Sequence, residues 1–274
     1  MIKDIVVHLT GSDEDRVRLD YAETLAGVFD AHLTGLLVHL EPELIASPGL
    51  IYADVIPTLM EDAAALTQKR RETLAARFAL MIVPNDLRVV SGVTETVGEA
   101  LAEEARAADL FIGTRPYGDP DKNHRDEEAV LFGSGGPALF LPPQKPATFR
   151  LEQVLVAWKN QREAARAIKD ALPILKKAQR VVLAVVTDEP EELTQTSSGA
   201  DIARYLSRHD VHAEIKELAG WHSAADALLS EARLSGADLV VAGAYGRSRL
   251  RERLLGGVTR ALLSSCDVPV LMSR

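Results

Sequence analysis

The sequence predicts an α/β protein of two repeated doubly wound domains, each with a mainly parallel five-stranded sheet of Rossmann-like type. Three observations predict it. Apolar runs such as VVLAVV (residues 181–186) and DLVVAG (238–243) lack the alternation of a half-exposed antiparallel strand and suit strands covered by helices on both faces. These runs alternate with helix-period segments, as right-handed β-α-β units do. The whole pattern then occurs twice. DIVVHLTGSDEDRVRLDYAETLA from Asp4 resembles QVLVAWKNQREAARAIKDALPIL from Gln153. AADLFIG from Ala107 resembles GADLVVAG from Gly236, and GGPALFLP from Gly135 resembles DVPVLMSR from Asp267.

The 274 residues exceed the roughly 100–200 expected of one domain, which fits two halves. Between them PPQKPATFR (142–150) suits an extended linker, because proline fixes φ and withholds a donor. The domains are therefore 1–145 and 151–274.

Taken in order, the second half reads as strand Val154–Trp158, helix Arg162–Ala178, strand Val181–Thr187, helix Ser198–His209 and strand His212–Leu218. Helix His222–Leu234, strand Leu239–Gly243, helix Leu254–Ser265 and strand Val268–Met272 complete it. The first half starts with a strand in MIKDIVVHL and has a longer second helix, Pro57–Leu80, after a loop with Pro42, Pro48 and Gly49. After Gly113 it carries TRPYGDPDKNHRDEEAVLFGS, a polar insert. The short step from Gly133-Ser134-Gly135-Gly136 to Pro137 leaves little room for a fourth helix.

Hydrophobic residues form 47%, charged residues 26% and aromatic residues 5% of the chain, an ordinary globular balance with small side chains for helix-on-sheet packing. The net charge of −9 argues against a nucleic-acid binder, which needs a cationic footprint. Cys266, the single cysteine, excludes an internal disulfide and a cysteine zinc site and reads as a small packing residue. The first strand does not resemble a secretory signal, and no apolar run of about 18 residues suggests a membrane span. A cytoplasmic protein is expected.

The sharpest motif is Gly243-Ala-Tyr-Gly246, nine residues, then Gly256-Gly257-Val258-Thr259. Glycine at a strand's carboxyl end permits φ > 0 and close approach to a ligand. Free N–H groups and the dipole at the next helix's start favour an anion, and such crevices hold ligands in open α/β sheets. The same glycines also suit a tight turn and a helix opening with no ligand.

GAYGRSRLRERLLGGVT is similar to the signature of the universal stress protein family. VLVAWKNQREAARA and CDVPVLM resemble the same family, over nearly all of 151–274 and more loosely over 1–142. The resemblance implies a five-stranded doubly wound domain, dimer-like pairing of two such domains and, in some members, bound ATP. It assigns Gly243, Gly246 and Gly256 to the phosphates and ribose, Thr259 to a phosphate-donating hydroxyl and Val186 to the adenine wall. Ala242 directly precedes the loop, and Ala157 and Lys159 end the first strand of this half. Two positions depart: the usual Asp-Gly-Ser is Lys159-Asn160-Gln161, and Gly257 stands where a hydroxyl residue is usual. Losing a donor costs about 0.5–1.5 kcal/mol, which weakens a site without abolishing it. Arg247 and Ser248 begin a run to Arg253 that reads either as a solvated loop or as a lid whose arginines engage phosphates.

The first half keeps Gly11-Ser12 of Thr10-Gly11-Ser12 but lacks the glycine spacing after Gly113, so it is not expected to hold nucleotide in the family manner. His8 reads as a core or rim histidine rather than a general base. Asp13-Glu14-Asp15 and Asp126-Glu127-Glu128 read as acidic first turns of helices. No histidine set suggests a metal site, and no Walker loop, nucleophile elbow or Gly-x-Gly-x-x-Gly fingerprint occurs. The expected function is a stress or signalling protein that binds ATP or AMP, with or without Mg²⁺, in its second half. It would act through a protein partner, as an internal pseudo-dimer with a homodimer left open, and at most as a slow ATPase. A nucleotide-independent interaction module is the alternative.

Overall fold

A computed structural model describes residues 1–43, 55–118, 125–143, 150–187, 193–244 and 257–274. The first half contains β1 (Asp4–Leu9), α1 (Glu14–Phe29), β2 (His32–Leu40), α2 (Val55–Phe78), β3 (Asn85–Gly92), α3 (Val97–Ala105), β4 (Leu110–Thr114), α4 (Arg125–Gly133) and β5 (Ala138–Leu141). The second contains β6 (Gln153–Trp158), α5 (Arg162–Leu175), β7 (Arg180–Thr187), α6 (Leu193–Arg208), β8 (Ala213–Ala219), α7 (Ala224–Leu234), β9 (Leu239–Gly243), α8 (Gly257–Ser265) and β10 (Val270–Ser273).

The strands line up as β3-β2-β1-β4-β5-β10-β9-β6-β7-β8. Within each half every pairing is parallel, and each half has the expected five strands. At the seam β5 and β10 run antiparallel, with Leu139 opposite Leu271, so the halves share one sheet. Because direction reverses there, the carboxyl ends of β1–β5 and of β6–β10 lie at opposite rims.

Both faces of this sheet are apolar, which is why its strands read as unbroken hydrophobic runs. Ile5, Val7 and Leu9 of β1 and Val154, Val156 and Trp158 of β6 face one core, with α1, α2, α5 and α6 packed on it. Val6 and Leu155 face the other, covered by α3, α4, α7 and α8. Cys266 is a buried free thiol of that second core, as its sequence context suggested. Its carbonyl accepts a hydrogen bond of 2.6 Å from Arg115 Nη1, one polar tie between the halves.

The repeat extends to hydrogen bonding. Asp109 Oδ2 accepts from the backbone N–H groups of Lys3 (2.6 Å) and Asp4 (3.1 Å) at the start of β1. Asp238 Oδ2 does the same for Glu152 and Gln153, both at 2.9 Å, at the start of β6. The shared Ala-Asp-Leu of the two halves thus carries an aspartate that satisfies donors at the beginning of the neighbouring strand.

One expectation is overturned. The first half does have its fourth helix: α4 ends at Gly133, the first of the Gly133–Gly136 glycines, inside the stretch read as an irregular insert. It is nine residues long, like α8. Its composition is polar because its first turn is Asp126-Glu127-Glu128, as a helix amino terminus favours, while Val130 and Leu131 beyond are buried.

Candidate functional site

In a sheet of order 3-2-1-4-5 the crossovers diverge between the first and fourth strands, leaving a crevice beyond their carboxyl ends. In the second half this point lies between β6 and β9. Ala242 is buried there, Ala157, Val186 and Val258 pack on the same core cluster, and Thr259 is buried on the first turn of α8. Gly257 is the first described residue of α8, and among the described residues a Cβ added to it would meet nothing within 4 Å. Lys159 is exposed just past β6. Gly246, Gly256, Arg247 and Ser248 lie outside the described residues.

Gly243 departs from expectation. Positive φ occurs at Gly11, Gly118, Gly135, Gly220 and Gly236 but not at Gly243. Its need for glycine is steric: a Cβ there would come within 2.5 Å of the Ala164 nitrogen and the Glu163 carbonyl carbon, at the start of α5. The absent side chain lets β9 press against the first turn of α5, bringing the two segments that bound the crevice together.

The corresponding crevice of the first half, between β1 and β4, has a volume of about 730 Å³. Its floor is a buried ionic network. Arg18 Nη1 donates to the His8 carbonyl at 2.8 Å and Nη2 to Thr10 Oγ1 at 3.1 Å. Arg18 Nη2 also pairs with Asp15 Oδ1 at 3.1 Å. Asp15 in turn accepts the backbone N–H groups of Thr10 (3.1 Å) and Gly11 (2.7 Å). The amides that would greet an anion after β1 are thereby taken by a carboxylate of the chain. Gly11, at φ +75, also carries the Arg70 side chain packed over it.

His8 Nδ1 lies 3.1 Å from Glu127 Oε1. Burial pushes the Glu127 carboxyl up, but the His8 hydrogen bond and the His8 and Arg18 charges outweigh it and hold the group below its ordinary value. An ionised carboxylate only accepts, so Nδ1 carries the shared proton and Nε2 is left without a partner among the described residues. His8 is buried as expected, but it is not the satisfied core histidine the sequence suggested, since Nε2 has no partner among the described residues.

The repeat shows why the two crevices differ. Counting from Asp4 and Gln153, His8, Asp15 and Arg18 correspond to Ala157, Ala164 and Ala167. Counting along the equal-length α4 and α8, Asp126 and Glu127 correspond to Val258 and Thr259. A charged network in the first half is replaced by alanines, a valine and a hydroxyl in the second. Arg18, Asp15 and Glu127 were missed as a site from sequence, although setting the two halves in register column by column exposes all three.

Asp126, beside Glu127, has its carboxyl pushed up to about 6 by burial and by the Glu127 charge, with His8 and Arg125 opposing. A raised carboxyl holds its proton more tightly folded than unfolded, so its ionisation destabilises the fold above about pH 6. The penalty disappears below the unfolded value near 3.8. Asp126→Asn is therefore expected to raise stability at neutral pH by about 1 kcal/mol, allowing for the partial exposure of the group. The gain should vanish below about pH 4. Urea denaturation at the two pH values checks it.

Residues 151–274 match the model of the universal stress protein family. Among solved structures, a universal stress protein from Archaeoglobus fulgidus DSM 4304 is similar at 14% identity over 99% of this chain and 98% of that one, with a TM-score of 0.77. A structure described as a putative universal stress protein from Pseudomonas aeruginosa UCBPP-PA14 is similar at 19% identity, covering 99% of this chain and 93% of that one, with a TM-score of 0.59. These likenesses carry the fold across both halves. No curated protein matches the chain. Residues 151–274 thus match the universal stress protein family, and the first half repeats the fold of the second.

Proposed function

We propose that the second half binds an adenine nucleotide, ATP or AMP, at the rim between β6 and β9, and that the protein signals its occupancy to a protein partner in the cytoplasm. The observation that carries this reading is the loss of charge at the crevice: the repeat positions held by His8, Asp126 and Glu127 in the first half are Ala157, Val258 and Thr259 here, the last two on the first turn of α8. A helix start favours phosphate oxygens. Thr259 would donate to them, and the apolar Ala157 and Val186 suit a base. Lys159, together with Gly246, Arg247, Ser248 and Gly256 outside the described residues, is proposed to contribute to the phosphate contacts.

Mg²⁺ would arrive on the nucleotide's phosphates: among the described residues no group of three His, Cys, Asp or Glu side chains gathers to hold it. Among the same residues no helix is long and apolar enough to cross a membrane. The antiparallel β5–β10 seam supports an internal pseudo-dimer.

A ligand bound at 100 times its Kd stabilises the folded state by about 2.7 kcal/mol, so millimolar ATP is expected to raise the melting temperature. Gly246→Val should remove that shift while leaving the ligand-free protein folded. An unshifted wild type, with no nucleotide released on acid extraction, would favour a nucleotide-independent interaction module.

A further inference from the structure

The geometry points to a second ligand site of different chemistry in the first half: the β1–β4 crevice binds a small organic cation with N–H donors, an amine or a guanidine, through His8 Nε2 and the Asp126 carboxylate. The side chain of His8 is 4% exposed, and this residue lines the crevice with Nε2 unpartnered among the described residues. In the neutral imidazole with Nδ1–H committed to Glu127, Nε2 presents a lone pair. A buried acceptor without a donor costs about 1–3 kcal/mol, which a ligand N–H would relieve.

Charge points the same way. The carboxylates of Asp13, Glu14, Asp126 and Glu127 line this space. Of its guanidiniums, Arg18 is bound to Asp15, Thr10 and the His8 carbonyl, and Arg115 donates to the Cys266 carbonyl. The Thr10 and Gly11 amides, which an anion would use, already donate to Asp15. Val38, Leu40 and Leu66 give the crevice an apolar wall for a carbon chain. Asp126 adds a functional hint, since its ionised form is a local liability in the ligand-free protein that a bound cation would discharge.

The groups that set its charge are Glu127 and Arg125 on α4 and His8 on β1. Glu14 and Arg18 on α1 and Arg70 on α2 share the crevice with it. Arg70 is the group a phosphate-bearing ligand would use instead.

Calorimetric titration of the full chain with agmatine, and separately with inorganic phosphate, tests the site. Agmatine is expected to bind at about pH 7.5, and about tenfold more weakly at about pH 5, where Asp126 is protonated. Asp126→Asn should weaken agmatine by at least about tenfold although that variant is expected to be the more stable protein. His8→Phe should weaken it similarly. No heat with agmatine, or an affinity unchanged by Asp126→Asn, overturns the proposal. So does phosphate binding that Arg70→Ala removes. ATP stabilisation, which belongs to the opposite rim, should survive Asp126→Asn, so failure here leaves the nucleotide reading standing and the reverse also holds.

Discussion

Replacing Gly243 by valine is expected to destabilise the protein by about 3 kcal/mol, near the upper end of overpacking costs. The neighbours a Cβ would strike are backbone atoms of α5, the Ala164 nitrogen and the Glu163 carbonyl carbon at 2.5 Å, and backbone at the start of a packed helix cannot rotate aside. Ala164, Ala167 and Ile168 are buried in the core beneath that helix, so relief requires moving α5 away from the sheet. Even alanine at this position should be costly, because the clash begins at Cβ. Denaturant melts of Gly243→Ala and Gly243→Val test this, and a loss below about 0.5 kcal/mol for both would mean that β9 and α5 do not approach as described.

Arg18→Met is expected to cost about 3–5 kcal/mol, the range for removing one partner from a buried ion pair. Arg18 is among the largest fully buried side chains. It holds Asp15 at 3.1 Å while Asp15 ties down the Thr10 and Gly11 amides, so its loss strands a buried carboxylate and loosens the turn after β1. The repeat supplies a matched control. Changing His8, Asp15 and Arg18 to alanine and Glu127 to threonine installs the side chains that the second half uses at the same places. An ionic network exchanged whole for apolar groups is often near neutral, so this fourfold variant is expected to be more stable than Arg18→Met. A fourfold variant at or below the single one would contradict the network.

Much of the architecture was legible because both faces of the sheet are covered. Strands such as β7 and β9 then carry continuous Val and Leu runs, and their boundaries follow. The fourth helix of the first half was only partly legible. Asp126-Glu127-Glu128 read as a helix's acidic first turn, but the polar stretch and prolines before it read as an insert, and its docking on α3 and the sheet makes it the fourth helix. Of the candidate site, a helix opening near the Gly256-Gly257 pair was legible in the motif, whereas the burial of Thr259 was not. The role of Gly243 did not, because its reason lies in α5, some 80 residues earlier in the chain. The His8–Glu127 pair was equally hidden: the two are 119 residues apart, and neither carries a local signature.

A crystal structure of the full chain grown with ATP decides whether the rim between β6 and β9 is a nucleotide site. Phosphate density is expected over the start of α8, within hydrogen-bonding reach of Thr259, with the base against Ala157 and Val186. Nucleotide density in the β1–β4 crevice instead, or a bare rim at saturating ATP, would contradict it.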